Sequence, residues 1–137
     1  MRLVIVSAVM LGTMGLAACA ETPKQTAARI RADDKTRARL DRELAGLVPG
    51  APQSCLQSID RQEMKAFGDT LVYRGAGRTR WVTQTTGCGG VGDNNILVTR
   101  LTTGQLCRGD IATTVDRTSG FQTGGCSYGD FIPYRKP

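Results

Sequence analysis

The chain has 137 residues, five cysteines, no histidine and a formal net charge of +6. A chain of this length forms one domain with a modest core, and without histidine it cannot assemble a Ser–His or Cys–His catalytic pair. The excess of basic residues is compatible with an anionic partner or a membrane surface.

The N-terminal stretch has the pattern of a secretory signal peptide. Met1-Arg2 is a short positive region, and the run 3–15 that follows is mostly apolar. This apolar run ends by Ala20, which is too short for a membrane span of about 20 residues. Leu16-Ala17-Ala18-Cys19 resembles the lipobox of bacterial lipoproteins. The resemblance implies that a lipid is attached to Cys19 and that residues 1–18 are removed as a signal peptide.

Two processing routes remain open. Ala18-Cys19-Ala20 also fits the small-x-small rule of ordinary signal cleavage, which would release a lipid-free protein starting at Glu21. We favour lipidation, because a cysteine at this position is otherwise a poor choice. The resemblance then implies a bacterial envelope protein that is lipid-anchored and faces the periplasm. Ala20, where an aspartate would signal inner-membrane retention, favours the outer membrane.

The other four cysteines predict two disulfides in an oxidising compartment: Cys55, Cys88, Cys107 and Cys126. Sequence leaves three connectivities open. We predict Cys88–Cys107 with Cys55–Cys126, a short clip and a closure of the domain's two ends. A zinc site is the alternative, but the chain has no C-x2-C pair and no histidine. We therefore expect no metal and no cofactor.

Residues 23–46 predict a charged helix. Thr22 suits the N-cap, Pro23 the first helical position and Gln25 the third position of a capping box. Gly46 and the following Pro49-Gly50 predict the C-terminal end of this helix.

Apolar residues recur only in the last turns of this helix, at Leu40, Leu44 and Leu47. We expect those turns to dock on the domain, so that residues 19–50 form a lipid anchor with a helical spacer. Between Glu21 and Gly46, seven Lys/Arg accompany five Asp/Glu. This balance invites a membrane-surface interpretation, but we favour the simpler one, a solvated helix of mixed charge.

Residues 51–137 differ in character, because short runs rich in Thr, Val, Ile and Tyr alternate with turn signals. This region predicts a mainly β domain, a small antiparallel barrel or sandwich of about five to six short strands that follows the N-terminal charged helix. We favour the barrel because the strands are few and short. The core is thin, so we expect the two disulfides to contribute to stability.

Six runs predict strands: residues 69–74, 79–84, 95–101, 105–108, 110–116 and 130–134. The first two form a hairpin through a glycine-rich turn, and the next two form a second hairpin across Thr102-Thr103-Gly104. Alternation places Leu71 and Tyr73 on one face of their strand, and Ile96 and Val98 on one face of theirs. Trp81 is expected in the core or at one end of it.

Four segments of this region carry a family resemblance: Asp69-Thr70-Leu71-Val72-Tyr73-Arg74, Gly87-Cys88-Gly89-Gly90, Leu106-Cys107-Arg108-Gly109-Asp110 and Gly125-Cys126-Ser127-Tyr128-Gly129. Through them, residues 47–137 resemble an uncharacterised, domain-of-unknown-function family of small bacterial envelope proteins. The resemblance implies one compact domain and no particular activity.

Two patterns bear on chemistry. Four aspartates directly follow a glycine: Asp69, Asp93, Asp110 and Asp130. This step is typical of a turn before a strand, where the carboxylate accepts backbone N–H groups; the alternative is an acid/base pair of the glycosidase type. Residues 87–92 match G-x-G-x-x-G, but a strand is predicted after them where a dinucleotide site requires a helix.

Five arginines surround the two predicted hairpin turns: Arg74, Arg78, Arg80, Arg100 and Arg108. On one side of the domain they would form a basic patch for an anionic polymer, a lipid headgroup or an acidic protein. Arginines that protect strand edges and maintain solubility are the simpler interpretation. The compartment argues against nucleic acid.

The sequence thus predicts a non-enzymatic envelope lipoprotein whose β domain has a structural or partner-binding role. One alternative is a binding module for an anionic envelope ligand through the arginine cluster. A second is a small carboxylate-dependent hydrolase. The expected partners are the membrane, through the N-terminal lipid, and an envelope protein or anionic ligand.

Overall fold

The computed structural model describes residues 21–75, 77–88, 90–92 and 94–137. The predicted signal peptide and Cys19 therefore lie outside the described residues. The mainly β prediction is confirmed, and the sheet is a curled antiparallel half-barrel with one helix and two disulfides. Within the described part of the chain, no helix combines the length and apolar character that crossing a membrane requires.

Helix α1 spans Pro23–Glu43 and begins at the predicted cap. The Thr22 hydroxyl accepts a hydrogen bond from the Gln25 backbone N–H, and the Gln25 side chain accepts one from the Thr22 N–H. The helix ends at Glu43, before the predicted end at residue 46. Gly46 has a left-handed φ of 72°, a backbone conformation common where the chain turns away after a helix. No residue of α1 is buried, so its contact with the domain is shallow.

The described residues form nine strands: β1 Val48–Pro49, β2 Cys55–Leu56, β3 Glu63–Phe67, β4 Thr70–Arg74, β5 Arg80–Thr86, β6 Asn95–Thr99, β7 Leu106–Cys107, β8 Ile111–Asp116 and β9 Gln122–Arg135. The main sheet has the order β3-β4-β5-β9-β8-β6, and β1 adds to β9. Strands β2 and β7 form a separate two-stranded sheet. The predicted last strand, 130–134, is thus one end of a much longer element.

The first predicted hairpin is confirmed, since β4 and β5 pair with Tyr73 opposite Trp81. The second is wrong, because β6 pairs with β8 and β7 pairs with β2. The cause is the 14-residue strand β9, which pairs with β5 along one part and with β8 along another. This pairing places strand β8 in the main sheet, and β6 pairs with the other edge of β8.

The main core lies on one face of the sheet, here called the inner face. It contains Leu71, Tyr73, Trp81, Tyr128 and Phe131, and Leu56 and Leu106 from β2 and β7 pack against them. The shared face of Leu71 and Tyr73 and the core position of Trp81 are therefore confirmed. The small β2–β7 sheet covers the concavity, which completes a core that the half-barrel alone would leave open.

The opposite face, the outer face, is divided into two halves. Phe67, Val72 and Val82 form a second cluster against Leu40 of α1 and Leu44 directly after the helix, which confirms that the C-terminal end of the helix docks. We call this part the covered half. Strands β6 and β8 carry the rest of the outer face, here called the uncovered half.

The predicted disulfide pairing is wrong: the bonds are Cys55–Cys107 and Cys88–Cys126. Cys55 lies directly opposite Cys107 in the β2–β7 ladder, with their Cα atoms 4.0 Å apart. Cys88 follows β5 and so reaches Cys126 on the adjacent β9, at a Cα separation of 5.2 Å. The prediction chose a short clip and a closure of the domain's two ends, whereas the strand pairings place Cys55 beside Cys107 and bring Cys88 to Cys126.

Candidate functional site

The uncovered half exposes apolar side chains in a regular array. Strands β6 and β8 pair with Ile96 opposite Val115 and Val98 opposite Thr113. Because neighbouring side chains alternate between faces, the intervening Ala112 and Thr114 point into the core, where both are buried. Ile96 and Val98 share a face, as predicted, and this face is solvent-exposed.

A groove of about 520 Å³ runs over this half. Its apolar lining includes Val98, Ile111 and Val115, and Arg100 supplies a cationic group. Ile111 is 65% exposed, and Phe121 in the turn between β8 and β9 is 75% exposed. Contiguous exposed apolar side chains of this kind are characteristic of interaction surfaces.

Glu43, at the end of α1, forms ion pairs with three cationic side chains of the sheet and so connects the helix to it. Its carboxylate accepts hydrogen bonds from Lys65 Nζ at 3.1 Å, Arg74 Nε at 2.9 Å and Arg80 Nε at 3.3 Å. Burial by itself would raise the pKa of Glu43, but the hydrogen bonds and charges of Arg74 and Lys65 outweigh it and hold that pKa below its usual 4.5. Sequence reasoning missed this cluster, because its members come from four separate elements, α1, β3, β4 and β5.

The five predicted arginines have different surroundings. Arg74 and Arg80 are cross-strand neighbours engaged by Glu43. Arg78 is exposed beyond β4, Arg100 lines the groove of the uncovered half, and Arg108 pairs with Asp130 at 3.3 Å. Since the second hairpin does not exist, Arg100 and Arg108 do not flank one turn. The structure therefore brings Arg74 and Arg80 together, but not in the two-hairpin arrangement that the patch prediction assumed.

Three of the four Gly-Asp aspartates are described; Asp110 and Asp130 have carboxylates with local partners, whereas Asp69 accepts hydrogen bonds from Thr85 through its backbone oxygen. The Asp110 carboxylate accepts the Cys107 backbone N–H at 2.7 Å, as the turn interpretation predicts. Asp130 is paired with Arg108, and Asp93 lies outside the described residues. Within the described residues, no group of three or more histidine, cysteine or acidic side chains is arranged to hold a metal ion.

Three hydroxyl groups form a chain across the inner face. Tyr73 and Tyr128 have their hydroxyl oxygens 3.4 Å apart, and the Tyr128 hydroxyl lies 2.8 Å from Thr99 Oγ1. Burial, reinforced by the neighbouring Tyr128, raises the pKa of Tyr73 far above its usual value. Both phenols are almost fully buried. This chain connects β4, β9 and β6 and is unsuited to nucleophilic chemistry, because the Tyr73 phenol stays protonated.

In the glycine-rich segment, the described residues 87–88 and 90–92 lie next to a disulfide. Gly87 adopts a left-handed φ of 89°, which allows the chain to turn after β5. Cys88 bonds to Cys126, and the next regular element is strand β6. The prediction that a strand follows this segment is confirmed, so the helix required by the dinucleotide motif is missing there.

No family model, no curated protein and no solved structure matches this chain. The resemblance of residues 47–137 to small bacterial envelope proteins therefore stays a prediction.

Proposed function

We propose that this protein is a non-enzymatic lipoprotein of the bacterial cell envelope whose half-barrel domain binds a partner protein through the uncovered half. The observation that carries the proposal is the unequal coverage of one sheet face. Val82 in the covered half is 9% exposed, whereas Val98 in the uncovered half is 41% exposed.

The chemistry of the uncovered half defines the partner. Ile96, Val98 and Ile111 offer a β surface that favours apolar contact, and burying each such side chain contributes about 1.5–3 kcal/mol when burial is complete. Arg100 adds a positive charge at the same groove. The partner is accordingly an envelope protein that presents an apolar segment with a carboxylate for Arg100.

The position of α1 supports the anchoring part of the proposal. The helix begins at Pro23, four residues after Cys19. Its last turns are attached to the sheet by Leu40, Leu44 and the Glu43 cluster. A lipid on Cys19 would consequently hold the whole domain close to the membrane surface.

Intact mass of the protein isolated from its native membrane tests the anchor. We expect residues 19–137 plus lipid, and a mass gain of four hydrogens on reduction because two disulfides open. A Cys19→Ser variant serves as the control and should carry no lipid. A lipid-free mass starting at Glu21 would contradict the anchor and place the protein free in the periplasm.

Site-specific photo-crosslinking in cells tests the partner surface. A photoreactive residue at Val98 or at Ile111 should yield the same protein adduct, identified by mass spectrometry. The matched control is Ile59, which is 59% exposed outside the uncovered half and should not give that adduct. Arg100→Glu should reduce the yield at Val98. Equal adducts at all three positions would refute the proposed surface.

The two alternatives receive less support from the geometry. An anionic ligand would have to compete with Glu43 for Arg74 and Arg80. A carboxylate-dependent hydrolase would need two available Gly-Asp acids, yet among the described ones Asp110 is bonded to backbone and Asp130 to Arg108, which leaves Asp69.

A further inference from the structure

We infer that the face of α1 opposite the sheet binds an anionic lipid surface. This face consists of Lys24, Arg31, Lys35 and Arg42, here called the basic stripe. The inference rests on the proposed lipid anchor, because the anchor brings the stripe to the membrane.

The direction of the stripe follows from the docking of the helix. An α-helix turns about 100° per residue. Leu40 and Leu44 pack against the sheet and thereby define the docking direction. All four stripe residues lie within about 20° of the opposite direction on an ideal helix. They are exposed, and none of the four forms an ion pair with another described residue.

The acidic residues of α1 lie elsewhere. Glu43 is turned towards the sheet, where it binds Lys65, Arg74 and Arg80. Asp34 and Asp41 lie on the flanks, about 90° from the stripe, and Asp33 lies on the docking side. The near balance of charges in the sequence therefore conceals a face that carries only cations and alanines.

The shape of the stripe suits an extended surface. Lys24 and Arg42 are separated by about 27 Å along the helix axis, a distance that a membrane can match and a compact anion cannot. Each Lys or Arg held near an anionic membrane strengthens binding by about fivefold. Because Lys24 is only five residues from Cys19, the anchor supplies a high local concentration of lipid headgroups.

Lipid binding by the stripe would set the orientation of the domain. The helix would lie along the membrane, with the sheet on its far side, because the docking direction is opposite to the stripe. In this arrangement α1 fixes the orientation of the domain relative to the membrane, which is a more specific role than that of a spacer.

Lysine acetylation measures this contact with an internal control. The lipid-bearing protein is reconstituted in vesicles of phosphatidylcholine alone or phosphatidylcholine mixed with phosphatidylglycerol. We expect Lys24 and Lys35 to react several-fold more slowly on the mixed vesicles, while the exposed Lys136 is unchanged. The protection should disappear at about 1 M salt, where the Debye length falls to about 3 Å.

Charge reversal distinguishes an effect of the basic stripe from an effect of the net charge of the helix. Arg31→Glu/Arg42→Glu should abolish the protection of Lys24 and Lys35. Arg29→Glu/Arg37→Glu makes the same change in net charge on the docking side of the same helix, and Lys24 and Lys35 should remain protected in this variant. Circular dichroism of both variants checks that α1 still forms. Equal loss of protection in the two variants would refute the stripe.

The remaining outcomes are equally decisive. Co-sedimentation with pure phosphatidylcholine vesicles reports on the anchor alone, so failure of the anchor is distinguished from failure of the stripe. Equal acetylation of Lys24 and Lys35 on both kinds of vesicle would overturn the inference. Protection in native membranes but not on phosphatidylglycerol vesicles would assign the stripe to an acidic protein and likewise overturn it.

Discussion

The two halves of the outer face carry similar side chains in different surroundings. Val72 and Val82 lie under Leu40 of α1 and Leu44 at its C-cap, whereas Ile96 and Val98 are 39% and 41% exposed. Val72 and Val82 are cross-strand partners in β4 and β5, Ile96 and Val98 are alternate residues of β6, and all four side chains are aliphatic. The difference shows that alternation identifies the face of a strand, but whether that face is covered depends on where another element docks.

The two halves are also held in place by different interactions. The covered half is stabilised from outside by apolar contacts with α1 and by the Glu43 cluster. The uncovered half is stabilised from inside, by the disulfide Cys88–Cys126 and by the contact of Thr99 with Tyr128. The uncovered half can therefore keep its shape without a helix on its surface.

The largest expected effect comes from the inner disulfide. Cys88→Ser/Cys126→Ser should lower the free energy of unfolding by about 4 kcal/mol, because the bond links residues separated by 38 positions. In hydrogen exchange, β6 and β8 should lose protection first. The matched variant Cys55→Ser/Cys107→Ser removes a similar stabilisation but should expose β2 and β7. If β3 and β4 lost protection first in the Cys88→Ser/Cys126→Ser variant, the disulfide would not be what stabilises the uncovered half.

A pair of valine substitutions compares the halves directly. Val82→Ala should lower the free energy of unfolding by about 2 kcal/mol, since it leaves a cavity under α1. Val98→Ala removes the same atoms from an exposed position and should lower it by about 0.5 kcal/mol or less. Urea denaturation gives both values. Similar losses would show that the uncovered half is buried in solution.

The ionic attachment of α1 is expected to contribute less. Glu43→Gln should lower the free energy of unfolding by about 1.5 kcal/mol, because it removes the carboxylate from hydrogen bonds with three cations. The control is Glu63→Gln, whose side chain is 51% exposed, and the expected loss is below about 0.5 kcal/mol. If the two variants were equally stable, the helix would be held by its apolar contacts alone.

The smallest effect is the pH dependence of the same contact. The pKa of Glu43 is lowered in the folded protein, so its contribution is fully present above the ordinary value and is lost as the pH falls through the folded value. The stability difference between the unchanged protein and Glu43→Gln should consequently be constant near neutral pH and shrink as the pH falls below the ordinary pKa of 4.5. Urea denaturation at several pH values measures it, and a difference that grew on acidification would contradict the cluster.

Prediction from sequence succeeded where neighbouring residues determine the outcome. The capping box at Thr22 and Gln25 and the hairpin between β4 and β5 are both formed. It failed for the second hairpin and for the disulfide pairing, which depend on the pairing of β9 with β5 and β8 and of β2 with β7. It also missed Glu43, since the role of this carboxylate arises only when α1 meets Arg74 and Arg80.

The sequence by itself determined the start of α1, the alternation of Leu71 and Tyr73, and the mainly β class, because short-range geometry and side-chain periodicity produce them. Only the tertiary structure decided the disulfide partners, the division of the outer face and the direction of the basic stripe. Each of these depends on contacts between residues far apart in the chain. The long strand β9 and the docking of Leu40 and Leu44 create those contacts.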